Sequence, residues 1–268
     1  DSTGKDDKGI LPVAEEPLGP PQAYGKDRVF VALQMNGDAK LEKQLDALQT
    51  AGHPVIRIRL SEKADLGQEF FRWEFAIAAA GAVIGIHPFN QPDVELAKNL
   101  AREAMKQAAG GAGKAASSAT PVEKAGDALK KLLGSIKLGD YFAIQAYLAP
   151  SAATTDALQN MRVTLRDRLH VATTLGYGPR FLHSTGQMHK GGPNTGVFLQ
   201  LIDDPSEELP VPQTDYSFAQ LIRAQAKGDL QALQQRGRRV LEVNLGKDVK
   251  AGLARLADAV SAALSVRT

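Results

Sequence analysis

Residues 29–33 read VFVAL, an unbroken apolar run that is typical of a strand buried on both faces of a parallel sheet. Three leucines between residues 41 and 48 follow at helical spacing, and Gly52 stands where such a helix would end. Residues 54–60, PVIRIRL, then alternate apolar and basic side chains, as a strand with one wetter face does. A strand, a helix and a second strand at these intervals predict a βαβ unit.

The same alternation continues along the chain. Apolar residues from Leu66 to Ile77 form a helical stripe, residues 82–86 are predicted to be a third buried strand, and a long helix is expected to begin near Pro92. The later predicted elements are strands at 141–148, 197–202 and 240–244, helices near 121–133, 217–236 and 248–264, and a helical face of Leu158, Met161, Leu165, Leu169 and Ala172. We therefore predict an α/β protein, with a three-layer αβα fold on a mainly parallel sheet and an α/β C-terminal extension.

Composition divides the chain into four segments. Residues 1–27 are polar and rich in proline and glycine, which predicts an extended segment with turns. Residues 28–108 are the first α/β subdomain, and residues 121–268 are the C-terminal extension. Residues 109–120 are small and predict a flexible linker. They resemble a phosphate-binding P-loop only superficially, because Lys114 is followed by alanine rather than by serine or threonine.

The composition also excludes several classes of protein. The 268 residues carry 32 basic and 30 acidic side chains, a net charge of +2 without a basic patch, so no nucleic acid is expected as a partner. The absence of cysteine excludes disulfides, thiolate catalysis and Cys-ligated metal. No run of about 18 apolar residues occurs, so no membrane span is expected, and we expect a cytoplasmic protein. Because the sequence begins at Asp1 without methionine, we expect it to be a fragment of a longer polypeptide.

Three polar constellations are candidates for chemistry, and the first is FNQPDVELAK at residues 89–98. Gln91 and Lys98 are seven residues apart, two helical turns, so an amide and an ammonium can face one spot and stabilise an oxyanion there. The helix N-terminus attracts anions such as sugar phosphates. The alternative is that Asn90 and Asp93 cap the helix and that Lys98 is a solvated surface lysine.

The second constellation is GPRFLHSTGQMHKGG at residues 178–192, a glycine-rich turn with two imidazoles. Histidine can act as acid and base near neutral pH, as the opening of a sugar hemiacetal requires. The alternatives are that His183 and His189 ligate a metal, although no third ligand lies nearby in sequence, or that they are ordinary turn residues. The third constellation is DSTGK at residues 1–5. The alternative is that this segment is only a flexible polar terminus.

These motifs resemble the phosphoglucose isomerase family. FNQPDVELAK resembles the family signature, and the Gln and Lys that carry its chemistry fall on Gln91 and Lys98; the family usually has Asp at Asn90 and Gly at Asp93. LHSTGQ resembles the family's Leu-His-Ser-x-Gly-Gln motif, so His183 matches the histidine that opens the ring. The run around His183 resembles more closely the isomerase half of the fused transaldolase–phosphoglucose isomerases of bacteria, although in ordinary isomerases the His motif precedes the Gln/Lys signature.

DSTGK resembles the family segment Glu-Ser-x-Gly-Lys, whose Glu is the base that moves the proton between C1 and C2. Asp1 stands in its place, and its side chain is one methylene shorter; a base misplaced by about 1 Å can cost on the order of a hundredfold in rate. As further substrate-binding residues we predict Lys5 and Arg180, as contacts to anionic groups, together with Ser184 and Gln187.

The resemblance implies a fold of the sugar-isomerase-domain type and the interconversion of glucose 6-phosphate and fructose 6-phosphate, by ring opening and an enediol intermediate. It implies a phosphorylated hexose as substrate, no metal or cofactor, and a homodimer. The family's upstream sugar-isomerase domain, which holds the phosphate, has no counterpart here, so the chain alone is expected to lack part of the active site. The alternatives are a non-catalytic sugar-phosphate-binding module and an inert dimerisation module.

Overall fold

The computed structural model describes residues 2–35, 37–107, 119–205 and 207–265. The elements before residue 108 are β1 (Phe30–Gln34), α1 (Ala39–Thr50), β2 (Val55–Arg59), α2 (Asp65–Ile84) and α3 (Pro92–Gln107). Those after residue 118 are β3 (Thr120–Pro121), α4 (Gly126–Gly134), β4 (Tyr141–Tyr147), α5 (Ala152–Leu169), β5 (Ala172–Tyr177), α6 (Gly186–Gly191), β6 (Gly196–Ile202), α7 (Phe218–Gln235), β7 (Arg239–Asn244) and α8 (Val249–Ser265). Residues 109–118 of the predicted linker (109–120) lie outside the described residues.

All strand pairs of the two sheets are parallel. β1 pairs with β2 from Phe30 opposite Val55 to Gln34 opposite Arg59. The larger sheet has the strand order β3-β7-β6-β4-β5. Every residue of β4 and β6 is buried, as expected for inner strands with helices on both faces. The α/β fold class with a parallel, helix-flanked sheet is therefore confirmed.

The two faces of the larger sheet carry different helices. Phe142 and Ile144 of β4 point to the main core, to which α4, α5 and α8 contribute Leu129, Leu133, Leu158, Leu165, Leu253, Leu256 and Val260. Tyr141 and Ala143 point to the opposite face, where Leu233 of α7 packs. On that face α3 packs closely on α7. The absence of a side chain at Gly228 of α7 allows this, since a Cβ there would lie 2.6 Å from the Ala101 nitrogen of α3. This three-layer arrangement places the start of α3 next to α6 and α7.

Two predictions of secondary structure are wrong. Residues 82–86 are not a strand, because α2 continues through Ile84 and ends at Gly85 in the left-handed conformation. The alanine-rich run before Gly81 favours helix, and a short apolar run cannot be assigned by periodicity alone. Ala172 does not extend α5, which ends at Leu169; it begins β5, a strand that the sequence pattern did not predict.

One surface of the first part of the chain is apolar and exposed. On α2 the exposed large side chains are Leu66, Phe70, Phe71, Trp73, Phe75 and Val83. A helix with apolar residues around most of its circumference is normally covered by another element. No covering element for these side chains lies among the described residues. Among the residues that the structure describes, no helix has the length and hydropathy needed to cross a membrane.

Candidate functional site

Three segments that are distant in sequence meet at Gln187 of α6. Its Nε2 donates to the carbonyl of Gly4 at 2.8 Å and to Oδ2 of Asp93 at 2.7 Å. Its Oε1 accepts a hydrogen bond from the backbone N–H of Asp93 at 2.9 Å. Gln187 is fully buried. These three hydrogen bonds of its side chain join it to the N-terminal segment and to α3. The three predicted motif segments therefore lie side by side.

The local structure explains why a glutamine and glycines are used at this junction. α3 begins at Pro92, and the first N–H groups of a helix have no partner within the helix. Gln187 caps one of them, the N–H of Asp93, from a separate segment. A Cβ on Gly191 would lie 2.5 Å from both Oδ2 of Asp93 and the Gly4 carbonyl, so only glycine allows this close approach.

Asp93 links the junction to a fourth segment. Its side chain is almost completely buried, and Oδ1 forms an ion pair with Arg236 at the end of α7. The phosphoglucose isomerase family, whose signature this segment resembles, usually has glycine at this position. The ion pair with Arg236 gives a physical reason for an acidic residue here. Sequence reasoning considered Asp93 only as a helix cap and assigned no role to Arg236; the departure from the family pattern at Asp93 was the signal that could have pointed to this pair.

Gln91 directly precedes α3, and Lys98 lies in the second turn of that helix. The Gln91 carbonyl accepts the hydrogen bond of the Glu95 N–H at 3.4 Å, so Gln91 is at the N-cap position. Nζ of Lys98 donates to Oε1 of Glu95 at 2.7 Å, and the Lys98 side chain is 42% exposed. This hydrogen bond lowers the pKa of the Glu95 carboxyl. Lys98 is therefore a half-exposed cation held by its own helix, and a ligand oxygen would have to compete with Glu95.

The histidine motif forms a 3-10 turn over residues 180–183 ahead of α6. Arg180, His183 and Ser184 are exposed there, and the Ser184 hydroxyl donates to the Phe181 carbonyl at 3.2 Å. The start of α6, directly after this turn, lies beside α3: a Cβ on Gly186 would be 3.6 Å from Cγ2 of Val94. The structure therefore brings the segments of His183 and of Gln91 together, whereas it turns Ser184 back to its own backbone.

Lys5 is buried, whereas Arg180, the other predicted contact to an anionic group, is exposed. Its Nζ donates to the carbonyls of Ser2 and His87, both at 2.6 Å, and so ties the N-terminal segment to the loop before α3. Burial lowers the pKa of the Lys5 ammonium, against the opposing effect of the Asp6 and Asp93 carboxylates. Asp1, the predicted base, lies outside the described residues.

His189 is a buried residue of the sheet face and does not face a ligand site. Its Nδ1 is 2.9 Å from the Tyr141 hydroxyl, and its ring stacks on Tyr141 and meets Phe198 edge to face. Burial, and then the neighbouring Lys190, hold its pKa well below 6.5. Among residues 2–35, 37–107, 119–205 and 207–265 no group of three or more His, Cys, Asp or Glu side chains could hold a metal.

The buried imidazole predicts a loss of stability in acid. With a folded-state pKa well below 6.5, the unfolded chain binds a proton that the folded chain does not. The His189 contribution to stability is therefore present above pH 6.5 and is lost as the pH falls from 6.5 to 5. Urea unfolding of the wild type and of His189→Gln at both pH values measures this difference. Equal losses in the two proteins would contradict the prediction.

A polar cavity of about 640 Å³ opens beside the junction. Its charged lining comprises Lys5, Asp6, Asp7, Asp93, Lys190, Arg236 and Arg238, and its amide lining comprises Asn90, Asn194 and Gln235. The volume is in the usual range of about 300–1,000 Å³ for small-molecule sites. The cavity is thus a place where a small polar molecule can contact the N-terminal segment and the start of α3 at once.

A short part of this chain is similar to a protein that is named as an isomerase. A segment of 71 residues is 34% identical to a probable glucose-6-phosphate isomerase of Halobacterium salinarum. The segment covers 26% of this chain and 17% of the Halobacterium protein. This similarity is partial, and it supports the phosphoglucose isomerase family at most. No family model matches the sequence.

Solved structures include a similar chain. A hypothetical protein from Thermus thermophilus is similar over 87% of this chain, with 16% sequence identity and a TM-score of 0.44. This chain spans 56% of the length of the Thermus protein.

Proposed function

We propose that this chain is part of an aldose–ketose isomerase that interconverts glucose 6-phosphate and fructose 6-phosphate through ring opening and an enediol intermediate. The observation that carries the proposal is the junction at Gln187, where the DSTGK, FNQPDVELAK and HSTGQ segments are in contact. These are the segments whose residues resemble the family motifs. The partial similarity to a probable glucose-6-phosphate isomerase supports the same reaction.

In this proposal the exposed imidazole of His183 opens the sugar ring, because it can exchange a proton with the ring oxygen of a bound hexose. Gln91 and Lys98 orient sugar oxygens and stabilise the negative charge of the enediolate. Lys98 is half exposed, so it can leave Glu95 for a more strongly charged oxygen. Asp1 takes the place of the base, on the resemblance alone, and Arg180 contacts an anionic group.

The larger assembly is also a proposal. We propose a homodimer and an upstream sugar-isomerase domain that holds the phosphate, in a protein of the transaldolase-fused type. The exposed apolar side chains of α2 give such an assembly a surface to bury. Light scattering of the purified chain measures its molecular mass, and a monomeric mass at micromolar concentration would count against the homodimer.

Turnover by the complete parent enzyme tests the catalytic proposal. Lys98→Ala and His183→Ala are each expected to lower kcat by about a hundredfold or more, because each removes a group that acts on the reacting atoms. Lys106→Ala is the matched control, since Lys106 is an exposed lysine on the same helix. A coupled assay of fructose 6-phosphate conversion measures the rates. Full turnover in both variants would leave only a binding or dimerisation module.

A further inference from the structure

A second cavity, of about 570 Å³, lies at the amino ends of β4 and β5. Its lining comes from residues 25–28 ahead of β1, residues 136–140 ahead of β4, residues 168–171 between α5 and β5, and Leu264 of α8. The volume is in the usual range of about 300–1,000 Å³ for small-molecule sites. The described lining contains none of the residues of the proposed isomerase reaction, so this cavity is separate from the junction at Gln187.

The carboxylates that line this cavity are both neutralised by arginines. Asp27 forms an ion pair with Arg28 at 2.5 Å. Asp140 accepts two hydrogen bonds from the guanidinium of Arg239, at 2.7 and 2.8 Å. These carboxylates therefore do not offset the remaining cations of the lining.

Three cations at the rim of the cavity are uncompensated. Lys26, Lys137 and Arg168 are exposed, and the described residues include no ion-pair partner for their side chains. Arg168 lies in the last turn of α5, where a cation also interacts favourably with the helix dipole, but this interaction occupies none of its hydrogen-bond donors. The rim thus presents accessible, positively charged donors to an anion that enters from solvent.

The floor of the cavity is apolar. Ile136, Val171 and Leu264 line it and are at most 6% exposed, whereas Leu138, at the rim, is fully exposed. The described lining includes no amide or hydroxyl side chain that could bind the hydroxyl groups of a sugar. An apolar floor under a cationic rim favours a molecule with a hydrocarbon body and a negatively charged end.

We propose that this cavity binds an aliphatic carboxylate, with the carboxylate at Lys137 and Arg168 and the hydrocarbon chain on the apolar floor. The guanidinium of Arg168 can donate two parallel hydrogen bonds to the two carboxylate oxygens, and Lys137 adds a second positive charge. The hydrocarbon chain contributes by covering side chains that line the cavity but do not fill it. The site is independent of the proposed isomerase reaction and is tested by binding alone.

Calorimetric titration of the purified chain with octanoate, butanoate and octanol tests the proposal. We expect saturable binding of octanoate at one site, because it has both an apolar body and a charge. Butanoate should bind at least about tenfold more weakly, since it buries fewer methylene groups. Octanol should bind at least about fivefold more weakly, since it has no charge for the rim cations. No saturable octanoate binding, or an equal affinity for octanoate and either of the other two probes, would overturn the proposal.

Two exposed rim residues locate the site without disturbing the fold. Lys137→Gln/Arg168→Gln is expected to weaken octanoate binding about fivefold or more, because it removes both cations that contact the carboxylate. Lys124→Gln/Lys130→Gln is the matched control, since it removes the same number of charges at exposed lysines outside the cavity. Equal affinity for octanoate in these two double variants would overturn the proposal.

The exposed apolar side chains of α2 are the competing place for a hydrocarbon chain. Phe71→Ser/Phe75→Ser changes two of them, at positions that are 70% and 67% exposed. We expect this variant to bind octanoate with the wild-type affinity, because neither phenylalanine lines the cavity. Loss of octanoate binding in this variant, with binding kept in Lys137→Gln/Arg168→Gln, would place the ligand on α2 and overturn the proposal.

Discussion

Replacement of Asp229 by alanine is expected to lower the free energy of unfolding by about 3–5 kcal/mol, the cost of leaving a buried charge without its partner. Asp229 of α7 and Lys190 of α6 form an ion pair in which neither side chain is exposed. The only other hydrogen bond seen for the Lys190 ammonium among the described residues is to the Gly186 carbonyl, at 3.3 Å. Without the carboxylate, the folded state must bury an ammonium ion that water would otherwise solvate.

Urea unfolding of Asp229→Ala, monitored by circular dichroism, measures this effect. The double variant Lys190→Met/Asp229→Leu should be nearly as stable as the wild type, because apolar residues of similar volume remove both desolvation costs. Asp258→Ala, at an exposed site on α8, should change the free energy of unfolding by less than about 0.5 kcal/mol. A loss below about 1 kcal/mol in Asp229→Ala would show that the pair is hydrated in solution.

Gln187→Ala is expected to lower the free energy of unfolding by about 2–4 kcal/mol, because it removes a hydrogen-bond partner from each of three buried polar groups. The groups are the Gly4 carbonyl and the backbone N–H and carboxylate of Asp93. Amide hydrogen exchange should also accelerate at Asp7, whose N–H donates to the Gly191 carbonyl at 3.2 Å, because the N-terminal segment loses its tie to α6.

Ser184→Ala is the matched control for this change. Ser184 is a predicted substrate-binding residue of the same motif, but it is exposed and its hydroxyl bonds only to its own turn among the described residues. Its replacement should cost less than about 0.5 kcal/mol. If Gln187→Ala is as stable as Ser184→Ala and exchange at Asp7 is unchanged, the junction does not hold the N-terminal segment.

Much of the fold could be predicted from local patterns. The run at residues 29–33 and the leucines that follow it predict β1 and α1, where Leu45 and Leu48 are buried against Ala32. The strand at 141–148, apolar except for Gln145, was equally clear, since β4 is buried on both faces. Residues 82–86 were misread because an apolar run of that length fits a strand or a helix, and the choice was made by continuity with α2.

The site was only partly readable from the sequence. The motif segments could be found by resemblance, and the structure brings them into contact; the roles of Asp1, Gln91, Lys98 and His183 stay predictions. Gln187 was predicted to bind substrate, and the structure places its amide in the junction itself. That use of the side chain depends on partners about 90 and 180 residues away, which no local pattern specifies.

The sequence by itself determined most of the elements and their buried faces, because hydrophobic periodicity and capping act over a few residues. Only the tertiary structure decided that Asp93 joins Gln187 to Arg236 and that Lys190 pairs with Asp229. The physical reason is that buried polar groups must find partners wherever the fold places them. Those partners come from segments that local sequence does not connect.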